Sequence, residues 1–266
     1  AADSPNILGA DVPRFVLVAG DLTYGDQHGA AAVDNHFNDL MAWSTFAAYM
    51  PAWGNHEDGS SADDRQNYEG RFDFPNSQDS PNPPPAGGPG EEWLWFDYGN
   101  VRFISYPEPF SGAWSDWETK AGVIMSAAQN DPAITFIVSY GHRPAYSSGS
   151  DHGGEGIATN IGNLKARYSK YVLNMQGHSH HYERSDPAQT DNILHIVAGT
   201  GGATLGGLTS TQPSWSVLRL DHFAHLRIHV TSNRIEGFAV CGPAGGRDTC
   251  TQNAIVDTWS IQAGGA

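Results

Sequence analysis

GHSHHYER, residues 177–184, follows the apolar run YVLNMQ at 171–176 and is the most informative stretch of this chain. The apolar run predicts a buried strand, and the glycine after it permits a sharp turn of the backbone. His178 and His180 are separated by one residue, so an extended backbone places both imidazoles on one face. Imidazole is a common metal ligand. The stretch therefore predicts a metal site at the end of a strand.

Three earlier segments repeat this arrangement, each with metal-ligand residue types directly after an apolar strand. They are GDLTYGD at 20–26, GNHE at 54–57 and GHRPAY at 141–146. A pair of metal ions needs a bridging carboxylate, imidazoles and oxygen donors held on rigid strand ends, and these segments supply all of them. One such segment is weak evidence. Four in this order are strong evidence for a site that holds two metal ions.

The rest of the pattern predicts an α/β sandwich. Residues 13–20 form a continuous apolar run typical of a buried strand, and residues 30–50 carry apolar side chains at helical spacing until Pro51 stops the pattern. Residues 115–130 predict a helix with Ser115 as its N-cap. Further strands are predicted at 91–107 as a pair joined at Gly99 and Asn100, at 133–140, at 193–199, and as a hairpin at 223–240.

Composition limits the size of the protein and its partners. The chain has 266 residues with 39% apolar content, which is enough to bury one core, so a single domain spanning 1–266 is expected. No run approaches the ~20 apolar residues of a membrane span. The N-terminus lacks the pattern of an export signal, and we expect that any such signal has been removed. The net charge of −15 repels nucleic acid and anionic membranes, so neither is predicted as a partner.

The chain has two cysteines, Cys241 and Cys250, at the ends of the glycine-rich stretch CGPAGGRDTC. This stretch is short and flexible enough for its ends to meet, which favours a local disulfide and an oxidising compartment. The alternative is a pair of free thiols in a cytosolic protein. The disulfide is the preferred interpretation, and it predicts a secreted or otherwise extracytoplasmic protein.

The motifs GDxxY, GNH(D/E), a later histidine at a strand end, and GHxH followed by YER resemble the calcineurin-like metallophosphoesterases, specifically their purple acid phosphatase branch. The resemblance runs from Asp21 to Arg184 and implies an α/β/β/α sandwich with mixed sheets. Members of that family carry an earlier aspartate motif on a preceding strand, so this chain is expected to lack the first β-α unit. Asp3 and Asp11 follow no apolar strand and are not interpreted as substitutes.

The resemblance also implies a set of metal ligands. Asp21 would bridge two ions, with Tyr24 and His180 on the first ion and Asn55, His142 and His178 on the second. A tyrosinate on Fe(III) gives the family its purple colour. The resemblance therefore implies iron in the first site, and zinc, manganese or iron in the second.

Further residues match the family pattern near the substrate. His56 and His152 would lie beside the phosphate, where an imidazolium ion can stabilise phosphoryl oxygens or protonate the leaving group. Arg143 and Tyr146 are candidates for lining the substrate cleft.

Three residues that follow the histidine pair have expected structural roles. His181 is adjacent to a ligand position, so it points to the opposite face of an extended segment and is not interpreted as a ligand. Glu183 and Arg184 are expected to form an ion pair that steadies the loop.

The resemblance implies metal-dependent hydrolysis of phosphate monoesters, with a metal-bound hydroxide as the nucleophile and a small-molecule phosphoester as the substrate. One alternative is a phosphodiesterase or nucleotide hydrolase on the same scaffold. The other is a catalytically degenerate structural or interaction domain, which the missing upstream aspartate and the acidic surface would favour. The sequence predicts no particular protein partner.

Overall fold

The computed structural model describes residues 13–57, 68, 71–81, 91–110 and 112–264, so Asp3 and Asp11 lie outside it. Its helices are α1 (Gly25–His28), α2 (Ala30–Ser44), α3 (Ala113–Asn130) and α4 (Ile157–Arg167), with a 3-10 turn at Pro187–Gln189. Its strands are β1 (Phe15–Ala19), β2 (Ala48–Ala52), β3 (Trp95–Tyr98), β4 (Val101–Ser105), β5 (Phe136–Gly141), β6 (Tyr171–Gln176), β7 (Tyr182–Ser185), β8 (Leu194–Ala198), β9 (Ser216–Leu220), β10 (Ala224–Val230), β11 (Arg234–Cys241) and β12 (Ile255–Gln262).

The described strands form three sheets. The largest has seven strands in the order β3-β4-β5-β6-β8-β7-β9, with β4, β5, β6 and β8 parallel and antiparallel pairs at both ends. A second sheet pairs β1 with β2 in parallel, and a third pairs β10, β11 and β12 antiparallel. The protein therefore has mixed sheets, as the resemblance implied.

Helices cover one face of the seven-stranded sheet. Buried Ile104 and Ile137 on this face pack in one cluster with Trp117 of α3 and Ile161 of α4. Successive side chains of a strand point to opposite faces, so the neighbouring residues face the other way. Both faces of these central strands are therefore buried, which accounts for their continuous apolar sequence.

The two smaller sheets pack against the opposite face. Val138 and Leu173 share a cluster there with Ile235 and Ala239 of β11 and with Ala52 of β2. On the outside of the β1-β2 pair, α2 contributes its own apolar side chains, which pack on those strands. The layers thus run helix, sheet, sheet, helix, and the predicted α/β/β/α sandwich is confirmed.

The prediction of one helical segment over 30–50 is wrong at its C-terminal end. The helix ends at Ser44, and the backbone turns through Phe46 and Ala47, whose amides both donate to the carbonyl of Trp43. The next residues form β2, which includes Pro51. A short apolar strand has the same composition as the end of a buried helix, so spacing alone does not separate them.

The predicted N-cap of α3 is also wrong. The helix begins at Ala113, two residues before Ser115, and its N-cap is Gly112 with a left-handed φ of 79°. Glycine adopts this conformation without steric cost, so the chain can turn into the helix there. Ser115 therefore lies inside the first turn.

The other predicted features lie where the patterns placed them. The strand pair joined at Gly99 and Asn100 and the hairpin over 223–240 are both antiparallel. Cys241 and Cys250 form a disulfide, which confirms that prediction. None of the helices in the described part of the chain has the length and apolar content needed to cross a bilayer.

A buried histidine in β8 makes the stability depend on pH. Burial lowers the pKa of His195 to about 3, and its Nε2 has no hydrogen-bond partner among the described residues. The unfolded chain binds this proton below pH ~6.5, whereas the folded chain does not. Stability should therefore fall as pH falls from ~6.5 to ~3, by up to about 1.4 kcal/mol per pH unit from this residue alone.

Urea unfolding of the wild type and of His195→Gln at pH values from 7 down to 4.5 measures this contribution. The variant should lose less stability on acidification than the wild type, while His229→Gln at an exposed position should follow the wild-type profile. Parallel profiles for the wild type and His195→Gln would contradict the prediction.

Candidate metal centre

The polar side chains of the centre come directly after the ends of strands. Asp21 follows β1, His142 follows β5 and His178 follows β6. Asp21, Tyr24 and His178 have φ values of 54°, 55° and 64°, a left-handed conformation that is uncommon for residues other than glycine. Such backbone strain concentrates at functional sites because the surrounding structure must hold it.

Four of the predicted ligands meet around one nitrogen atom. His142 Nε2 lies 3.2 Å from Asp21 Oδ2, 3.1 Å from Asn55 Oδ1 and 3.0 Å from His178 Nδ1. Asp21, His142 and His178 place one ligand atom each within 4.8 Å of one another. We call these residues, with Asn55, the second-ion group.

The other two predicted ligands meet nearby. Tyr24 Oη lies 3.2 Å from His180 Nε2, and we call this pair the first-ion group. The two groups are joined through His56, whose Nε2 is 4.0 Å from Asp21 Oδ2 and whose ring centroid is 4.0 Å from that of Tyr24. In the described ranges, no further aspartate, glutamate, histidine or cysteine joins His180 in a group of three. The first-ion group is thus the poorer in donors.

The protonation states follow from burial and from neighbouring charges. Burial opposes the ionisation of Asp21, but the charge of His142 outweighs it and holds the pKa of Asp21 at about 2. Burial likewise opposes charge on His142, but Asp21 raises its pKa to about 9. Burial and the cations His142 and Arg143 lower the pKa of His178 to about 2. Burial and the charge of Asp21 raise the pKa of Tyr24 to about 12. Tyr24 therefore stays a neutral phenol unless a cation replaces its proton.

The orientation of two imidazoles fits metal ligation. His142 Nδ1 lies 2.7 Å from the Ala19 carbonyl, and His180 Nδ1 lies 2.7 Å from the Thr204 carbonyl. Because a carbonyl only accepts, each Nδ1 donates a proton to its carbonyl, and each Nε2 is the ring nitrogen that faces the centre. The charge of Asp21 beside His142 Nε2 favours a proton on that atom, which accounts for the raised pKa of His142. A metal ion bound in place of this proton would be coordinated by the oxygens of Asp21 and Asn55.

A buried carboxylate holds the two oxygen-bearing loops together, and sequence reasoning did not identify it. Glu57 is fully buried and accepts from the amides of Asp21 at 2.8 Å, Leu22 at 2.7 Å and Gly54 at 2.8 Å. Burial and the charge of Asp21 raise the pKa of Glu57 to about 8. Its place directly after the GNH motif is the only sequence signal for this role.

The two predicted catalytic histidines lie beside different candidate ligands of the centre. The backbone amide of His56 donates to Asp21 Oδ1 at 3.1 Å, and its Nδ1 lies 2.8 Å from Asp26 Oδ2. The ring of His152 stacks on that of His178 with centroids 3.8 Å apart. Both imidazoles are therefore within reach of a group bound at the centre.

Of the two predicted cleft residues, the structure brings only one to the centre. Arg143 lies 2.8 Å from His178 Nε2, and its Nε donates to buried Glu108 at 2.9 Å. Tyr146 instead donates to Asp191 at 3.3 Å, and its ring contacts His195 and Trp215. The arginine charge is thus balanced by a carboxylate beside the centre, while Tyr146 belongs to an aromatic cluster.

The expected ion pair between Glu183 and Arg184 does not form. Arg184 Nε donates to Asp257 Oδ2 at 2.6 Å, and Glu183 accepts from His181 Nε2 at 3.0 Å. The cause is strand geometry, because adjacent residues of β7 point to opposite faces of the sheet.

A two-layered sheet sandwich flanked by helices, with a carboxylate, an amide and imidazoles converging at its strand ends, defines the metallophosphoesterase class of folds. The family model "Calcineurin-like phosphoesterase" matches residues 6–182, and "Iron/zinc purple acid phosphatase-like protein C" matches residues 193–236. The chain therefore belongs to the calcineurin-like phosphoesterase family, and the resemblance to its purple acid phosphatase branch is confirmed.

Individual relatives agree with this assignment. The chain is 24% identical to acid phosphatase type 7 of Homo sapiens, over 81% of the chain and 54% of that protein. It is 28% identical to probable inactive purple acid phosphatase 1 of Arabidopsis thaliana, over 54% of the chain and 27% of that protein. The structure of purple acid phosphatase PPD1 from Lupinus luteus seeds matches 98% of the chain and 48% of that protein, with a TM-score of 0.76 and 19% identity. The chain spans about half the length of the human relative.

Proposed function

We propose that this protein hydrolyses phosphate monoesters with two bound metal ions. The observation that carries the proposal is the convergence of Asp21 Oδ2, Asn55 Oδ1 and His178 Nδ1 within 3.2 Å of His142 Nε2. Lone pairs of this kind gathered on rigid strand ends suit a divalent cation. The family relationship supports phosphoester hydrolysis as the reaction.

The two groups would divide the ions between them. Asp21 would bridge, the second-ion group would hold one ion, and Tyr24 with His180 would hold the other. When bound, two such ions neutralise charge on the phosphoryl oxygens and supply the nucleophile at neutral or acidic pH.

The histidines beside the centre would bind a phosphoryl oxygen of the substrate and protonate its leaving group. The His56 imidazole, held by Asp26 at 2.8 Å, would donate to a phosphoryl oxygen as charge develops there. The His152 imidazole, stacked on His178, would give its proton to the leaving oxygen. Because His152 must carry a transferable proton to act as a general acid, acidic solution favours protonation of the leaving oxygen.

Iron is proposed for the first-ion group, and zinc, manganese or iron for the second. Tyr24 supports this choice, because its raised pKa requires a strongly acidic cation to form a tyrosinate. A tyrosinate on Fe(III) would absorb visible light.

Tyr24→Phe should abolish the visible absorption of iron-loaded protein while leaving the second-ion group intact. The phenol oxygen is the absorbing ligand, and phenylalanine keeps the ring against His56. Absorption spectra with elemental analysis of both proteins measure the effect. Tyr168→Phe, whose hydroxyl donates to the Gly122 carbonyl far from the centre, is the control and should keep the colour. A coloured Tyr24→Phe protein would contradict the assignment.

The proposed substrates are small phosphoesters, handled outside the cytoplasm. The disulfide between Cys241 and Cys250 supports an oxidising compartment. The net charge of −15 disfavours nucleic acid and anionic membranes as partners, whereas the metal ions would dominate the field inside their own pocket.

Turnover of 4-nitrophenyl phosphate and of bis(4-nitrophenyl) phosphate by metal-loaded protein tests the proposal. Monoester hydrolysis should exceed diester hydrolysis, and a chelator should remove both activities. The reverse preference would indicate a phosphodiesterase or nucleotide hydrolase. No turnover by protein that carries its metals would refute the proposal.

A second candidate is a structural or interaction domain that lost its catalytic activity. The donor-poor first-ion group supports it, because within the described ranges this group consists of Tyr24 and His180, with Asp21 proposed as the bridge. One relative is itself described as probably inactive. Elemental analysis that finds one ion or none per chain, together with no turnover, would support this candidate.

A further inference from the structure

A buried chain of hydrogen bonds lies on the side of segment 178–183 opposite the candidate ligands. Ser179 Oγ lies 3.0 Å from His181 Nδ1, and His181 Nε2 lies 3.0 Å from Glu183 Oε2. All three side chains are buried, so none can contact a substrate, although hydrolases use the same residue types as nucleophile, base and orienting acid. We call these residues the buried relay. It faces the loop 147–153.

The buried relay holds this loop by several bonds. Glu183 accepts from the amide of Ser148 at 2.7 Å and from its hydroxyl at 2.6 Å. Ser179 Oγ lies 3.0 Å from Asp151 Oδ1 and 2.9 Å from the carbonyl of His152, and its single hydroxyl proton is donated to one of these two acceptors at a time. Bonds at both ends of the loop therefore originate from the relay.

The other side of the loop reaches the candidate metal centre. The His152 ring stacks on the ring of His178 at 3.8 Å, and Asp151 Oδ2 accepts from the amide of His180 at 2.9 Å. The fit is close, because a Cβ on Gly149 would lie 2.7 Å from Asp151 Oδ1. Movement of the loop would therefore displace His152.

We propose that Ser179, His181 and Glu183 are positioning residues that hold the His152 imidazole over the candidate metal centre. The effect of this positioning on proton transfer rests on the proposed function, because that function makes His152 the residue that gives a proton to the leaving oxygen. The positioning itself does not depend on turnover. The contacts of one short segment support the proposal. His178 and His180 lie beside the candidate ligands His142 and Tyr24. Ser179 instead bonds the loop residue Asp151, and His181 bonds Glu183.

Hydrogen exchange tests the positioning without any turnover. In Ser179→Ala the amides of Ser148 and His152 should exchange roughly tenfold faster than in the wild type, because the loop loses a buried partner. Amides of β11 should keep their wild-type rates. The matched control is Ser139→Ala, a buried serine whose hydroxyl bonds Asn174 at 2.7 Å in the core, and it should leave the loop amides unchanged. Unchanged loop exchange in Ser179→Ala would overturn the proposal.

Leaving-group dependence tests the consequence. A misplaced proton donor slows esters of alkyl alcohols more than 4-nitrophenyl phosphate, whose leaving group needs no proton. The ratio of kcat for the alkyl ester to kcat for the aryl ester should fall about tenfold or more in Ser179→Ala and in His152→Ala. The double variant should show no further fall, because both changes act on one step.

The outcomes separate the two proposals. An unchanged ratio in Ser179→Ala, or independent additive losses in the double variant, would overturn the role of the buried relay in catalysis. If the wild type hydrolyses no phosphoester, the proposed function fails, while the exchange rates still decide whether the relay positions the loop.

Discussion

Replacing Asp21 by asparagine should reduce phosphomonoester hydrolysis by about a thousandfold or more, because a bridging carboxylate contributes roughly 4 kcal/mol of charge stabilisation through its ions. Asp21 is the residue proposed to bridge the two ions, and its Oδ2 lies 3.2 Å from His142 Nε2. Asparagine keeps the size and one oxygen of the side chain but removes its charge. The bound metal should therefore fall together with the rate.

Initial rates and elemental analysis after dialysis measure both effects. The matched control is Asp116→Asn in α3, where the carboxylate pairs with Lys120 at 2.9 Å across one helical turn. Such a surface pair contributes about 0.5 kcal/mol or less to stability, so metal content and rate should equal those of the wild type. An Asp21→Asn protein with full metal content and full rate would show that the ion centre lies elsewhere.

Replacing Glu57 by alanine should destabilise the fold by at least about 3 kcal/mol, because three buried amides lose their acceptor. These amides belong to Asp21, Leu22 and Gly54, so the change also frees the two loops that carry the oxygen ligands. Urea unfolding of metal-free protein measures the loss of stability. Metal affinity should fall as well, because the ligands are no longer pre-arranged.

Two further variants separate this effect from the loss of a charge. Glu57→Gln keeps one acceptor oxygen and should recover part of the stability. Glu236→Gln removes a half-exposed carboxylate of β11 that pairs with Arg234 at 3.0 Å, and should cost about 0.5 kcal/mol or less. A Glu57→Ala protein as stable as the wild type would mean that water satisfies the three amides.

Much of the fold could be predicted because the strands repeat one pattern. Apolar runs that end in glycine and a polar residue predicted β1, β5 and β6 within a few residues. Helix boundaries were less predictable. Residues 30–50 contain both a helix and the start of a strand, and both are apolar. Gly112 rather than Ser115 is the N-cap of α3. Local spacing does not decide such cases, because sheet pairing and backbone conformation compete with it.

The candidate site also has features that the sequence predicted and features that it did not. The residue types at strand ends predicted which side chains would gather, and the structure brings the six proposed ligands into two groups, with His56 beside both. Partners across the sheet were not predictable. Tyr146 packs on His195, and Arg184 reaches Asp257 far along the chain. Such contacts join residues that are far apart in the sequence, so a local sequence pattern does not predict them.

The sequence by itself determined the family and the order of the candidate ligand segments, and it favoured the disulfide, because each depends on residue types at short spacing. Only the tertiary structure decided that Glu57 binds two loops at once and that Ser179, His181 and Glu183 support the loop of His152. Both arrangements are made of buried hydrogen bonds between segments. A buried polar group must find a partner wherever the fold places one, so its role becomes visible only when the chain is folded.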